Sequence, residues 1–247
     1  MSLYEDLLVD GASLQALART FQVFDGVHTA PQYRGSSGLT IPAVEGEADS
    51  PQIIGPGVVQ VAMVLGDGVS ITTFNDAYRA LKLLVKPGKQ VTLTRKLSFT
   101  AGNEDHTGLG KYLSGLDFTT FSPAATDAAL VLAFTLQSGV FSGASETLPH
   151  ATYPQDVTVK GEVRSRKITL HLPGAGTLTN TTTGSAVTVT TGPVTLDVAA
   201  KTSSGSRLDV VAHGDPFLGW FTLDPGTNHL TWSGSGLPQV DYLPAYL

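Results

Sequence analysis

Cysteine is missing from all 247 residues, which removes disulfide staples, thiol catalysis and thiolate metal sites together. Charge is scarce too: Asp, Glu, Lys and Arg make up 15% of the chain, against the roughly 25% usual in soluble domains. The net charge of −6 argues against a nucleic-acid partner, because such binders draw most of their affinity from clustered Lys and Arg. No apolar run is long enough to span a bilayer. The two most apolar stretches, Val58 to Leu65 and Ala128 to Leu136, are about half the ~20 residues a membrane helix needs. Met1 to Asp10 carries Glu5 and Asp6 where a signal peptide needs basic residues, so neither a secretion signal nor a membrane partner is expected.

What is present points to strands. A hydrophobic share of 41% suffices for a core without staples, while the low charge suits a subunit that hides part of its surface in an assembly. The 27 Gly and 14 Pro favour many short strands over long helices. Length alone allows two modest domains.

Period-2 alternation is clearest in the last third. Val157/Val159, Ile168/Leu170/Leu172, Val187/Val189, Val194/Leu196/Val198, Leu208/Val210, Leu230/Trp232 and Val240/Tyr242 point one way. Thr, Asp, Lys and His between them point the other, so each segment reads as a strand with one buried and one wet face. Turns at Pro173-Gly174, Gly192-Pro193 and Pro225-Gly226 complete the pattern of an antiparallel sandwich. Earlier strand candidates are Phe21 to Phe24, Val58 to Leu65, Val91 to Phe99, Leu116 to Phe121 and Leu130 to Leu136. Among them, Phe74, Ala77, Tyr78, Leu81 and Val85 recur at helical spacing, Thr73 and Asp76 resemble a capping box, and Pro87-Gly88 ends the run. A helix is therefore expected over 73–85.

Two stretches lack pattern. Residues 29–57 carry Pro31, Pro42, Pro51 and Pro56 and read as an arm that packs on something outside its own core. Residues 143–155 mark the domain boundary, dividing the chain into 1–148 and 149–247. The expected fold is mainly β: a β-sandwich with one helix and a long arm, then a second antiparallel β-sandwich.

Little in the sequence carries chemistry. His28, His106, His150, His171, His213 and His229 lie far apart without metal-ligand spacing, and each is expected on a solvated loop or strand face. No nucleophile elbow or phosphate loop is present. The Asn103-Glu104-Asp105-His106 cluster reads as a hairpin loop between Gly102 and Gly108. No catalytic, metal or cofactor residue is assigned, and no enzyme is expected. Trp232 shares a face with Leu230 and is expected inside. Trp220, between Gly219 and Phe221, is the candidate for an exposed sugar-stacking platform, which would make the chain a non-catalytic carbohydrate-binding protein of two sandwiches.

The two ends carry a resemblance. Val9-Asp10-Gly11 with Ser13-Leu14, Tyr33-Arg34-Gly35 followed by Ile41-Pro42 and Gly46-Glu47, Asp224-Pro225-Gly226-Thr227-Asn228 with Leu230 and Ser233-Gly234, and the close Tyr242-Leu243-Pro244-Ala245-Tyr246-Leu247 together resemble the distal tail proteins of long-tailed bacteriophages. These are often called minor tail proteins. The resemblance implies a hexameric ring in the virion between tail tube and tip or baseplate, made by the first domain, with a galectin-like second domain outside it. It implies three kinds of partner: further copies of the chain, the tail tube protein and the tail-tip hub protein. It also makes the arm, through Tyr33, Arg34, Ile41, Pro42 and Glu47, the subunit interface. The linker over 143–155 carries no inserted sugar-binding module, so no direct receptor contact is implied. Pro225 presets a turn, and Gly226 and Asn228 tolerate left-handed conformations before the Leu230 strand.

Overall fold

The computed structural model describes residues 6–23, 33–34, 53–54, 56–97, 104–115, 125–137, 139–149, 151–204, 210–213 and 221–246. They fall into two compact units, the first including 54–142 and the second 143–246. The mainly β architecture with antiparallel sheets and one α-helix is as the alternation predicts.

In the first unit the strands are β1 (Asp6–Val9), β2 (Ala12–Ser13), β3 (Ala18–Val23), β6 (Gly57–Gly66), β7 (Gln90–Leu97), β8 (Glu104–Ser114), β9 (Asp127–Leu136) and β10 (Phe141–Ser142). A short 3-10 turn, Gln15–Leu17, links β2 to β3. Apart from the main sheets, β4 (Tyr33–Arg34) and β5 (Ile53–Ile54) form a small two-stranded sheet. The main sheet runs β2-β1-β7-β8-β9-β6-β3, with β10 paired to β8. Strict alternation sets its inner face: Val59, Val61, Met63 and Leu65 of β6 meet Leu130, Leu132, Phe134 and Leu136 of β9 in one buried cluster. Against that face packs α1 (Ile71–Leu84), through buried Phe74 and Leu81.

The helix begins earlier than the 73–85 expected. Ser70, in an extended conformation, is the N-cap, and its hydroxyl accepts from the Thr73 amide at 3.3 Å. Thr73 is thus the third helical residue and not the cap. The apolar period starts only at Phe74 because the first turn, Ile71-Thr72-Thr73, is exposed, so the pattern carries no trace of it.

A second departure lies in β8. The expected hairpin loop at Glu104-Asp105-His106 is the start of an eleven-residue strand. His106 is not solvated but buried at 2% exposure. Its Nδ1 accepts from Nε of buried Arg95 directly across the ladder at 3.1 Å, and that guanidinium lies 4.5 Å above the Phe141 ring. The inward positions that follow are Gly108 and Gly110, which leave room for bulk from neighbours. A Cβ on Gly110 would stand 2.7 Å from the Leu93 side chain and 2.8 Å from the Thr135 carbonyl. An inner face of His, Gly and Gly carries no hydrophobic alternation.

The second unit holds β11 (Glu146–Thr147), β12 (Gln155–Val159), β13 (Ile168–Leu172), β14 (Gly176–Asn180), β15 (Ser185–Val189), β16 (Val194–Asp197), β17 (Thr202–Ser203), β18 (Val210–His213), β19 (Gly226–Trp232), β20 (Gln239–Tyr242) and β21 (Ala245–Tyr246). Two five-stranded antiparallel sheets, β11-β20-β13-β16-β17 and β12-β19-β14-β15-β18, bury one shared core. The residues that alternate apolar in the sequence fill it: Val157, Ile168, Leu170, Leu172, Leu178, Val187, Val194, Leu196, Leu230 and Val240. Residues 146–148 pack here as well, with β11 paired to β20 and Leu148 in the core. Trp232 is half-buried at the edge of this core and not enclosed by it. Its indole occupies the space beside Gly234, where a Cβ would come within 2.3 Å of it.

Candidate functional site

The motifs at the two ends have structural explanations. Asp10 and Gly11, with φ of 50° and 83°, form the two-residue turn between paired Val9 and Ala12, the conformation that a tight hairpin with right-handed twist demands. The Asp10 carboxylate also accepts from the Thr92 amide at 2.8 Å and from Lys89 at 2.6 Å. The Lys89 bond chiefly, with the Thr92 amide, holds its pKa below the ordinary value against a small desolvation penalty.

The Asp224-to-Asn228 turn is a closed hydrogen-bond device. Gly226 uses that tolerance, with φ of +88°, while Asn228 is extended within β19 and buried. Its amide nitrogen donates to the Asp224 and Gly226 carbonyls at 2.6 and 3.2 Å. Its oxygen accepts from the Asp224 amide at 3.0 Å and from Asn180 Nδ2 at 2.8 Å. Asn180 completes the network by donating to the Thr222 carbonyl at 2.9 Å. All four amide hydrogens are used, so the network is of the satisfied kind that fixes one geometry. Arg164 grips the Asp224 carboxylate from outside through both Nε and Nη2.

The outer face of the β20-β13-β16 sheet carries a row of polar side chains. Asp241 accepts from Thr147 at 2.7 Å and from Gln239 at 3.0 Å, and lies 3.0 Å from His171 Nε2. The other nitrogen of His171 is 3.2 Å from the Thr195 hydroxyl. Partial burial works against the Asp241 charge, yet the Thr147, Gln239 and His171 bonds outweigh it and lower the pKa. Beside this row, Ser145, Lys167, Thr169, Asp197 and Asp241 line a groove of about 370 Å³. The hydroxyl–imidazole–carboxylate order is that of a nucleophile relay, but the geometry lacks the rest of one. Thr195 sits in a ladder, paired with His171 across the sheet, and its own amide donates to Ser204 Oγ. The row is a cross-strand network that orders a wet sheet face.

Of the interface residues expected in the arm, Tyr33 and Arg34 lie in β4; Ile41, Pro42 and Glu47 are outside the described residues, as is Trp220. The sequence pattern did not single out the apolar surface of the first unit. Val69, Leu83, Leu109, Leu113 and Val131 are 84%, 70%, 50%, 50% and 46% exposed. Leu109 and Leu113 occupy outward positions of β8, and Val131 an outward position of β9. Among the described residues, no cluster of three or more His, Asp or Glu could hold a metal ion.

No known protein family and no curated protein matches the chain. Among solved structures, it is similar to the crystal structure of the SPP1 Dit protein, described as a paradigm of the hub adsorption apparatus in phages that infect Gram-positive bacteria. That match has a TM-score of 0.62 at 16% identity and covers 98% of this chain and 99% of that one. A chain of the phage p2 baseplate in its activated, strontium-bound conformation aligns over 90% of both chains at 8% identity, with a TM-score of 0.33, too low to carry an argument. The SPP1 similarity establishes that the two chains share a fold over nearly their whole length.

Proposed function

We propose that this protein is a structural, non-catalytic subunit of a phage tail tip. Six copies close a ring that joins the tail tube to the tip or baseplate. The observation that carries this reading is the full-length likeness to a phage hub protein at a TM-score of 0.62, in line with the motifs at both ends of the sequence. The residues from 1 to 148 form the ring, and the arm over 29–57 reaches the neighbouring subunit through Tyr33, Arg34, Ile41, Pro42 and Glu47. The region from 149 to 247 is a galectin-like sandwich outside the ring. The partners are further copies of this chain, the tail tube protein and the hub protein, within the virion after assembly in the host cytoplasm.

The exposed aliphatic side chains of the first unit fit the reading, because assembly would take them out of water. The mechanism is mechanical: one heterologous contact, repeated about a closed axis, makes a rigid adaptor. The acidic chain suits a channel through which DNA slides without sticking. Negative-stain images of the purified protein test it. Rings with a central hole are expected; a single-chain particle that binds glycans would instead support the carbohydrate-binding alternative.

A further inference from the structure

The first unit carries two unlike patches on one helix. Between the 3-10 turn and α1 runs an open groove of about 700 Å³, lined by Ala16, Leu17, Ala18, Ala77 and Ala80, with Asp67 and Asp76 as the charged lining residues. The Asp67 carboxylate is fixed in place, accepting from the Ser70 amide at 2.7 Å and the Val69 amide at 2.8 Å. These bonds keep it ionised to lower pH than an ordinary carboxyl.

The last turn of the helix is the converse. Leu83 is 70% exposed, at a position that faces away from the buried Phe74 and Leu81 and where a surface helix ordinarily places a polar residue. Lys82 and Lys86, both exposed, stand beside it, and Lys82 Nζ lies 5.8 Å above the Tyr78 ring. One patch is thus an apolar knob with cationic neighbours, and the other an apolar groove with anionic ones. Leu83 lies one turn beyond Ala80, roughly 60° round the axis from it, and two turns beyond Asp76, so the knob sits past the C-terminal end of the groove and is a separate position from it.

We propose that these patches meet between copies: Leu83 of one chain, with Lys82 and Lys86, seats in the groove bounded by Asp67 and Asp76 on the next. The occupant of the groove is a second copy of this chain, identified by the match of shape and charge. Because knob and groove are different surfaces, the contact is heterologous and repeats from copy to copy until it closes. This inference rests on the ring reading and names a contact that holds the ring.

Two variants of the full chain test it, both altered at exposed positions so that the core is untouched. One converts the knob, Lys82→Glu with Leu83→Glu; the other converts the groove rim, Asp76→Arg. Light scattering across a dilution series gives the concentration at which assemblies fall apart, and thermal melts confirm that each variant is folded. Each variant alone sets like charges against each other and should dissociate at a concentration about tenfold or more above wild type. In an equimolar mixture, a ring in which the two variants alternate has opposite charges at every contact and should regain mass that neither variant has alone. Unchanged ring stability in both variants, or a mixture that behaves as the average of its parts, overturns the knob-and-groove contact while leaving the ring reading intact. A wild-type chain that never exceeds single-chain mass overturns both.

Discussion

Among the described residues, the second unit leaves one large aliphatic side chain in solvent, Leu237 at 39%, whereas the first leaves Val69, Ile71, Leu83, Leu109, Leu113 and Val131 at 40% or more. The interiors do not explain this contrast. Each unit buries a continuous cluster, with Leu65, Phe74, Leu132 and Phe134 fully enclosed in one and Leu170, Leu178, Leu196 and Leu230 in the other. The outer faces explain it. In the second unit the outward positions are Thr, Asp, His and Gln tied into cross-strand networks, while in the first the outward positions of β8 alternate Leu109, Lys111 and Leu113. A domain with a complete core and an apolar exterior has its remaining stability to gain from a neighbour.

Core truncation should separate the two units most strongly. Phe134→Ala in the first is expected to cost about 3–5 kcal/mol and Leu170→Ala in the second about 2–5 kcal/mol, both side chains being fully buried. Calorimetry should show each substitution lowering its own unit's transition; a single transition lowered equally by both would abolish the distinction between the units.

Asn228→Ala comes next, with an expected loss of about 1–3 kcal/mol in the second unit, because it strands its partners at buried Asn180 and half-buried Asp224. Trp232→Ala should cost less than either core truncation, since the ring is half-buried. Chemical denaturation of the three variants gives the ranking, and a Trp232 loss equal to that of Leu170 would refute the burial argument. Leu109→Ser with Leu113→Ser should change folding stability by no more than roughly 0.5 kcal/mol per site yet weaken self-association in sedimentation. Equal loss in both readouts would mean that these residues stabilise the fold and not an interface.

Acid should act on both units weakly. Asp10 and Asp241 have folded pKa values below the ordinary one. Each therefore contributes stability that is fully present above about pH 4, near the unfolded carboxylate value, and is lost as pH falls through the lower folded value. Asp10→Asn and Asp241→Asn should flatten the decline of melting temperature below pH 4, and unchanged slopes would argue that these bonds carry no net stability.

How much was legible in the sequence follows the same division. In the second unit most of the longer strands could be read from apolar–polar alternation, because one face of each is buried and the other wet, whereas the two-residue strands β11, β17 and β21 are too short to show a period. The first unit hid β8 behind an inner face of His106, Gly108 and Gly110. It also hid the Ser70 cap behind a first turn that touches no core. His106 misled for a related reason: its burial depends on Arg95 and Phe141, eleven residues before it and thirty-five after, which no local pattern connects. The apolar outer surface was equally invisible, since Leu109 and Leu113 count as exterior only once the strand and its register are known. Asn180 and Asn228 left a trace only as part of a turn motif, and their contact joins positions forty-eight residues apart.

The central claim is that the first unit carries the assembly and the second does not. Light scattering of the full chain beside a fragment of residues 143–247 measures this directly. The account predicts the mass of six chains for the full protein and of one chain for the fragment. A full-length protein of single-chain mass, or a fragment that forms the oligomer by itself, would contradict it.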